Sequence, residues 1–264
     1  MSDHVVSVSS GLASAYLWDL VNSEHPNSVG VFADVNGEDK DNYRFLAQVE
    51  AHVGAPLVRL TNDGKTIWDV FRATRFLGNT RVDTCSRVLK REPIERWLSD
   101  NRDPAATTLH IAVDWTEAHR IPAIRDGWAT LGWTTAFWMA DRFLDKNHAL
   151  DWAERVGIEP PSLTREGWPH ANCGGGCVRA GQGQFAALLL MRPESFAVWE
   201  AEEASFREWI GKDVAILRDR RNKETKPMPL SVLRDRVMKG DIKPDLGDGA
   251  CNCMQPISNQ GGSE

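Results

Sequence analysis

The chain has 264 residues, 42% of them hydrophobic and 26% charged, which is enough for one large α/β domain or two small ones. Its net charge of −6 argues against a broad nucleic-acid footprint and leaves room only for a local basic patch. No stretch approaches the roughly 20 uninterrupted apolar residues of a membrane span, and the N-terminus lacks a basic start followed by an apolar core. A cytoplasmic protein without a membrane partner is therefore expected.

In chain order, "VVSVSS" is a first strand, followed by a helix over Ala13 to Asn22. The turn between them is Ser9-Ser10-Gly11. Two readings stay open for it. A helix N-terminus with small residues can receive a phosphate, or Ser9 or Ser10 simply caps the helix. "SVGVFADV" is a second strand, ending near Asp34. "DNYRFLAQVEAHVG" has helical spacing and closes on Gly54. "APLVRLT" is a third strand, and "KTIWDVFRATRFLG" a helix that stops at Gly78. "REPIERWLSDN" is an amphipathic helix with Pro93 in its first turn, and "TTLHIAVDW" a fourth strand ending near Asp114. Strands alternating with helices predict a parallel sheet covered by helices on both faces, with ligands beyond the carboxyl ends of the strands. The Ser-Ser-Gly turn, Asp34 and Asp114 all fall at those ends.

From Gly127 the pattern changes to dense aromatics and then a helix. "SLTREGWPHANCGGGCVRAGQ" is a glycine-rich loop, "QFAALLLMRPESFAVWEAEEASFREWI" two helices broken at Pro193, and "LRDRRNKETKPMPLSVLRDRV" a basic segment with one short helix. The expected organisation is a nucleotide-binding α/β core over 1–126, a helical region with a cysteine loop over 127–247, and a cysteine-bearing tail over 248–264.

Five cysteines, Cys85, Cys173, Cys177, Cys251 and Cys253, are an odd set in a cytosolic setting, which points to thiolate ligands or redox groups rather than a disulfide framework. In "NCGGGCVRAG" both sulfurs can turn toward one centre, suiting an iron–sulfur cluster or zinc. Cys85 would come from across the fold and a tail cysteine would complete the set. His170 is a spare ligand or an ordinary loop histidine. Arg87, Lys90 and Arg91 follow Cys85 and form either an anion site or a solvated face. Asp114, Glu117, His119 and Arg120 in "DWTEAHR" contact a ribose or phosphate, or cap a helix.

Together these segments resemble the phosphoadenosine phosphosulfate reductase family, within the PP-loop ATP pyrophosphatases of adenine nucleotide alpha hydrolase-like fold. Ser9-Ser10-Gly11-Leu12-Ala13-Ser14 is similar to the family's SGGxxS loop, and "CSRVLKREPIERWL" to its CCRxxKxxPL segment. "CGGGC" stands where cluster-bearing members have CxxC, and the "CNC" tail is similar to the reductases' ECGxH. The likeness is strongest to short, phage-type members, through "FLGN", "CSRVLKREP", "DWTE", "NCGG" and "LRDRR". The sequence departs from the pattern at Ser10, at Leu12-Ala13 in place of Lys-Asp, at Thr84 in place of a first Cys, and in the tail.

The resemblance implies an adenine nucleotide, such as ATP, held by Ser9, Ser10, Gly11, Ser14, Asp34, Arg87, Lys90 and Arg120. It implies a [4Fe–4S] cluster on Cys85, Cys173, Cys177 and Cys253, with zinc as the rival metal and Cys251 left as a nucleophile or sulfur carrier. The expected function is sulfur transfer to an ATP-activated acceptor, a nucleic acid or a protein. The alternatives are a sulfonucleotide reductase and a non-catalytic nucleotide- or partner-binding module.

Overall fold

The Ser-Ser-Gly stretch does join a strand to a helix. In the computed structural model, which describes residues 3–78, 84–221 and 224–247, β1 (Asp3–Val8) leads to α1 (Leu12–Glu24). β2 (Val29–Ala33), α2 (Lys40–Val53), β3 (Leu57–Leu60) and α3 (Ile67–Thr74) follow. The short α4 (Thr84–Ser86), a π-helical turn (Arg87–Arg91) and α5 (Glu92–Asn101) run on without a break, and a short loop leads to β4 (Thr107–Ile111). A 3₁₀ turn (Trp115–Arg120) and α6 (Ile121–Ala129) lead to β5 (Thr134–Ala136).

The five strands pair in parallel in the order β3-β2-β1-β4-β5. Alternate residues of each strand face opposite sides of the sheet. Val6, Val8 and Phe32 pack against residues of α1 and α2, while Val5, Val31, Leu109 and Ile111 pack against residues of α5 and α6. Both faces are thus covered, as the strand–helix alternation predicts.

The rest is mainly helical: α7 (Trp138–Asp141), α8 (Lys146–Val156), α9 (Ser162–Arg165), a 3₁₀ turn (Asn172–Gly175), α10 (Gln182–Met191) and α11 (Pro193–Ile210). An antiparallel pair, β6 (Leu217–Asp219) and β7 (Lys226–Met228), precedes α12 (Leu230–Met238). The buried Glu203 carboxylate ties these parts together, accepting the N–H groups of Ile216 at 2.9 Å and Leu230 at 2.6 Å. A separate core forms here around Phe185, Phe196 and Phe206, and it takes Trp68 and Phe71 from α3. Among the described residues no helix is long and apolar enough to cross a membrane.

Three local expectations change. The sheet continues past residue 126 into β5, whose three residues are too few to show an alternating pattern. α8 also belongs with the first core, where Trp152 donates to Asp19 of α1 at 2.8 Å. α3 ends at Thr74, not at Gly78: Arg75 takes the left-handed conformation at φ 52°, with its guanidinium 5.3 Å from the Trp209 ring centre. A favourable cation–aromatic contact there offsets the cost of a non-glycine residue in that conformation.

Beside β1 and β4, three imidazoles gather. His4 Nδ1 lies 2.9 Å from His110 Nε2, and His25 stacks on His4 at 3.5 Å. Trp138 packs edge-on against His110, and Arg142 lies over Trp138 while bonding Glu24 at 2.6 Å. Burial, then the neighbouring His4, His25 and Arg142, push His110 down to about 3. Below its ordinary value of 6.5 the unfolded chain takes up a proton that the folded chain refuses. Stability is therefore full above pH 6.5 and falls as pH drops from there toward 3. By pH 4 the loss is on the order of 3 kcal/mol. Urea unfolding of His110→Asn between pH 7 and 4 should show a distinctly shallower decline than the parent. Equal slopes would remove His110 from the acid response.

Candidate functional site

The loop between β1 and α1 is held by its own hydroxyls. Ser9 N–H donates to Ser14 Oγ at 2.9 Å, and Gly11 N–H donates to Ser9 Oγ at 3.2 Å. The Ser14 hydroxyl reaches the carbonyls of Ser9 at 3.0 Å and Gly11 at 2.9 Å. The helix N-cap is Gly11, and no side chain caps it. Ordinary capping by Ser9 or Ser10 is therefore not what the turn does. It leaves the N-terminus of a 13-residue helix, with no acidic residue in its first turn, facing a cavity.

That cavity sits where the strand order reverses. From β1 the chain moves outward to β2 and β3, then crosses to β4 on the other side of β1. Such a switch point opens a crevice beyond the carboxyl ends of the two central strands. The outer cleft, about 450 Å³, is lined by Ser9, Gly11 and Ser14 on one side and Asp114, Glu117 and Arg120 on the other. An inner cavity of about 120 Å³ shares Ser9, Ser14, Arg120 and Asn172 and adds Lys90. Arg120 is 6% exposed and its Nη1 lies 2.7 Å from Glu117 Oε2. Asp114 caps the 3₁₀ turn that carries Arg120, accepting from Thr116 N–H at 2.9 Å and Glu117 N–H at 3.2 Å.

Not every sequence-predicted residue lies here. Ser9, Gly11, Ser14, Lys90 and Arg120 line the two cavities. Ser10 is fully buried behind them, accepting from Asn42 Nδ2 at 2.9 Å and donating to Asn172 Oδ1 at 3.4 Å. Asp34 is not among the lining residues. Its carboxylate accepts from Asn36 N–H at 2.8 Å and Tyr43 O–H at 2.9 Å. Arg87 pairs with Glu92 at 2.5 Å and lines a separate pocket with Trp128 and Leu131. The π-helical turn is the reason: residues three apart on it do not share a face.

The cysteine loop forms part of the same wall. Asn172 and His170 line the outer cleft, and burial followed by the nearby Lys90 pushes His170 down to about 4. Cys173 has φ 57° and Gly174 φ 60°, so the chain reverses tightly, and the Cys173 and Cys177 side chains hydrogen-bond to each other. That bond and burial push the Cys173 thiol up. Cys173 N–H donates to Glu38 Oε2 at 2.7 Å, and Glu38 Oε1 lies 3.5 Å from Lys90 Nζ. Cys85 packs beside Ile67, Val70 and Leu89. Cys251 and Cys253 lie outside the described residues. Among the described residues no three His, Cys, Asp or Glu side chains gather as metal ligands. These residues therefore do not by themselves fit a [4Fe–4S] cluster or a zinc ion.

Sequence reasoning passed over Glu38, Asn42, Asn172 and Lys146. Each lies in a polar loop or helix whose local pattern reads as surface. Only the crossing of the 36–42 and 168–173 segments buries Glu38 and Asn42 together.

The sequence model described as the phosphoadenosine phosphosulfate reductase domain matches residues 3–108. No curated protein matches the chain. Among solved structures, it is similar to the phosphate complex of phosphoadenylyl-sulfate (PAPS) reductase from Candida auris. Identity is 12% over 62% of this chain and 78% of that chain, with a TM-score of 0.44. The match runs from β1 into β4 and includes the turn, Glu38 and Lys90, so this part of the chain is similar to the phosphoadenosine phosphosulfate reductase domain.

Proposed function

We propose that the chain is an enzyme of the sulfonucleotide reductase type, which holds a phosphorylated and sulfated adenine nucleotide in the β1/β4 cleft. The observation that carries this reading is the meeting, at one crevice, of an uncapped helix N-terminus with the side chains of Lys90 and Arg120. Both features favour phosphate and sulfate oxygens. Leu12 and Ala13 put no cation at the start of α1, which favours holding such a nucleotide over cleaving the phosphates of ATP.

The chemistry falls to a thiol. Gly247, the last described residue of the C-terminal segment, lines the outer cleft, and Cys251 follows four residues later. A Cys251 thiolate would attack the sulfate sulfur. The bridging oxygen would leave with the bond's electron pair on the nucleotide phosphate, and the protein would keep an S-sulfonate. A second thiol, supplied by a dithiol reductant, would then attack the Cys251 sulfur, forming a disulfide as sulfite leaves with the electron pair of the broken S–S bond. ATP-driven sulfur transfer to a nucleic-acid or protein acceptor is the second reading, favoured by the paired Cys173 and Cys177.

Calorimetric titration with adenosine 3′,5′-bisphosphate, beside a sulfite-release assay with the sulfated nucleotide, tests the reading. A side chain at Gly11 would crowd Ser9 Oγ, which lies 3.2 Å from the Cβ position, and would block the phosphate's approach. Gly11→Val should keep the parent's unfolding transition and bind the nucleotide at least tenfold more weakly. Equal affinity in the folded variant would remove the turn from the site.

A further inference from the structure

We infer that Cys173 and Cys177 are a reversible thiol–disulfide pair, and that closing it changes the affinity of the adjoining nucleotide cleft. Three observations carry this. The two side chains already meet in a hydrogen bond, across three glycines that let the chain fold back. Cys173 occupies the left-handed region at φ 57°, where a non-glycine residue is strained, and such strain gathers at working positions. Third, no other His, Cys, Asp or Glu joins the pair in a metal-holding group among the described residues.

The link to the cleft is built from direct contacts. Bonding the sulfurs brings them to about 2.05 Å, so the loop must shift. Its leading side is fixed by Cys173 N–H on Glu38 and by Ala171 C=O, which accepts from Asn42 at 2.7 Å. Glu38 in turn lies against Lys90, which lines the inner cavity. Asn172, next to Cys173, lines both cavities and accepts from Ser10. The trailing side is wedged, because a Cβ at Gly176 would overlap the Trp199 indole. A shift in the loop thus moves Asn172 and Glu38, and with them the cleft wall. Linkage makes the effect mutual: a nucleotide that prefers one thiol state stabilises that state.

The co-reactant is a low-molecular-weight disulfide. One protein thiolate attacks it, giving a mixed disulfide and one free small thiol. The other then displaces the second small thiol and closes the Cys173–Cys177 bond. The two protein sulfurs lose two electrons, the small disulfide gains them, and the two protons end on the released thiols.

The experiment treats the full chain, prepared without oxygen, with oxidised and then reduced glutathione. Peptide mass spectrometry, iron and acid-labile sulfide, and the dissociation constant for adenosine 3′,5′-bisphosphate are read in each state. The expected result is a crosslinked Cys173–Cys177 peptide, reversed on reduction, with affinity changed at least threefold between states. Cys177→Ser and Cys173→Ser should each lose both effects. Two thiols that stay free in oxidised glutathione, or stoichiometric iron and sulfide lost in Cys173→Ser, would overturn the inference. A crosslink with unchanged affinity would overturn the coupling. The affinity arm rests on the proposed nucleotide site. A crosslink in a chain that binds no nucleotide in either state would sink that site and uphold the thiol pair.

Discussion

Asn42→Ala should destabilise the protein by about 2–4 kcal/mol and weaken nucleotide binding with it. Asn42 is fully buried, and its amide donates to Ser10 Oγ at 2.9 Å and to the Ala171 carbonyl at 2.7 Å. Those acceptors belong to the two segments that flank the cleft, the β1–α1 turn and the cysteine loop. Without the amide both are left buried with a lost donor, each at a cost of roughly 1–3 kcal/mol. The space left by the side chain is small, so cavity formation adds less than the lost hydrogen bonds. Urea denaturation gives the stability change, and titration on the folded protein gives the affinity. A loss below about 0.5 kcal/mol, the size typical of surface substitutions, would show that the two segments hold together by other means.

The α/β core is legible in the sequence because its signals are local. The first four strands are apolar runs, Gly54 closes α2 in the left-handed conformation, and Pro93 falls in the first turn of α5. The Ser-Ser-Gly turn is legible for the same reason: strand, small residues and helix lie within one short segment. Ser10 shows the limit. The pattern groups it with Ser9 and Gly11, but the strand-to-helix turn sends its side chain inward, where Asn42 and Asn172 meet it. Arg87 fails differently, since helical spacing would place it near Lys90 and a π-helical turn does not. Glu38 was invisible because a carboxylate in a polar loop reads as solvated. Its side chain has no exposure, and it is kept buried by Lys90 and the Cys173 N–H, both distant in sequence.

Arg120→Ala should weaken nucleotide binding by roughly tenfold to a hundredfold, the worth of one buried charge-assisted contact of about 1.5–3 kcal/mol. Arg120 lines both the outer cleft and the inner cavity. It is 6% exposed and held on its turn by Glu117, so its guanidinium is oriented before any ligand arrives. Preorganisation of this kind lowers the entropy lost on binding. The proposed contact is with phosphate or sulfate oxygens, so the loss should depend on ligand charge. Adenosine, which has neither group, should bind parent and variant alike.

The most direct measurement is therefore a paired calorimetric titration of the parent and Arg120→Ala chains with adenosine 3′,5′-bisphosphate and with adenosine, each chain first shown to unfold in a single transition. A bisphosphate-specific loss of tenfold or more in Arg120→Ala is the expected result. A parent that binds no bisphosphate, or a variant that binds it as the parent does, would contradict a nucleotide site at the β1/β4 cleft.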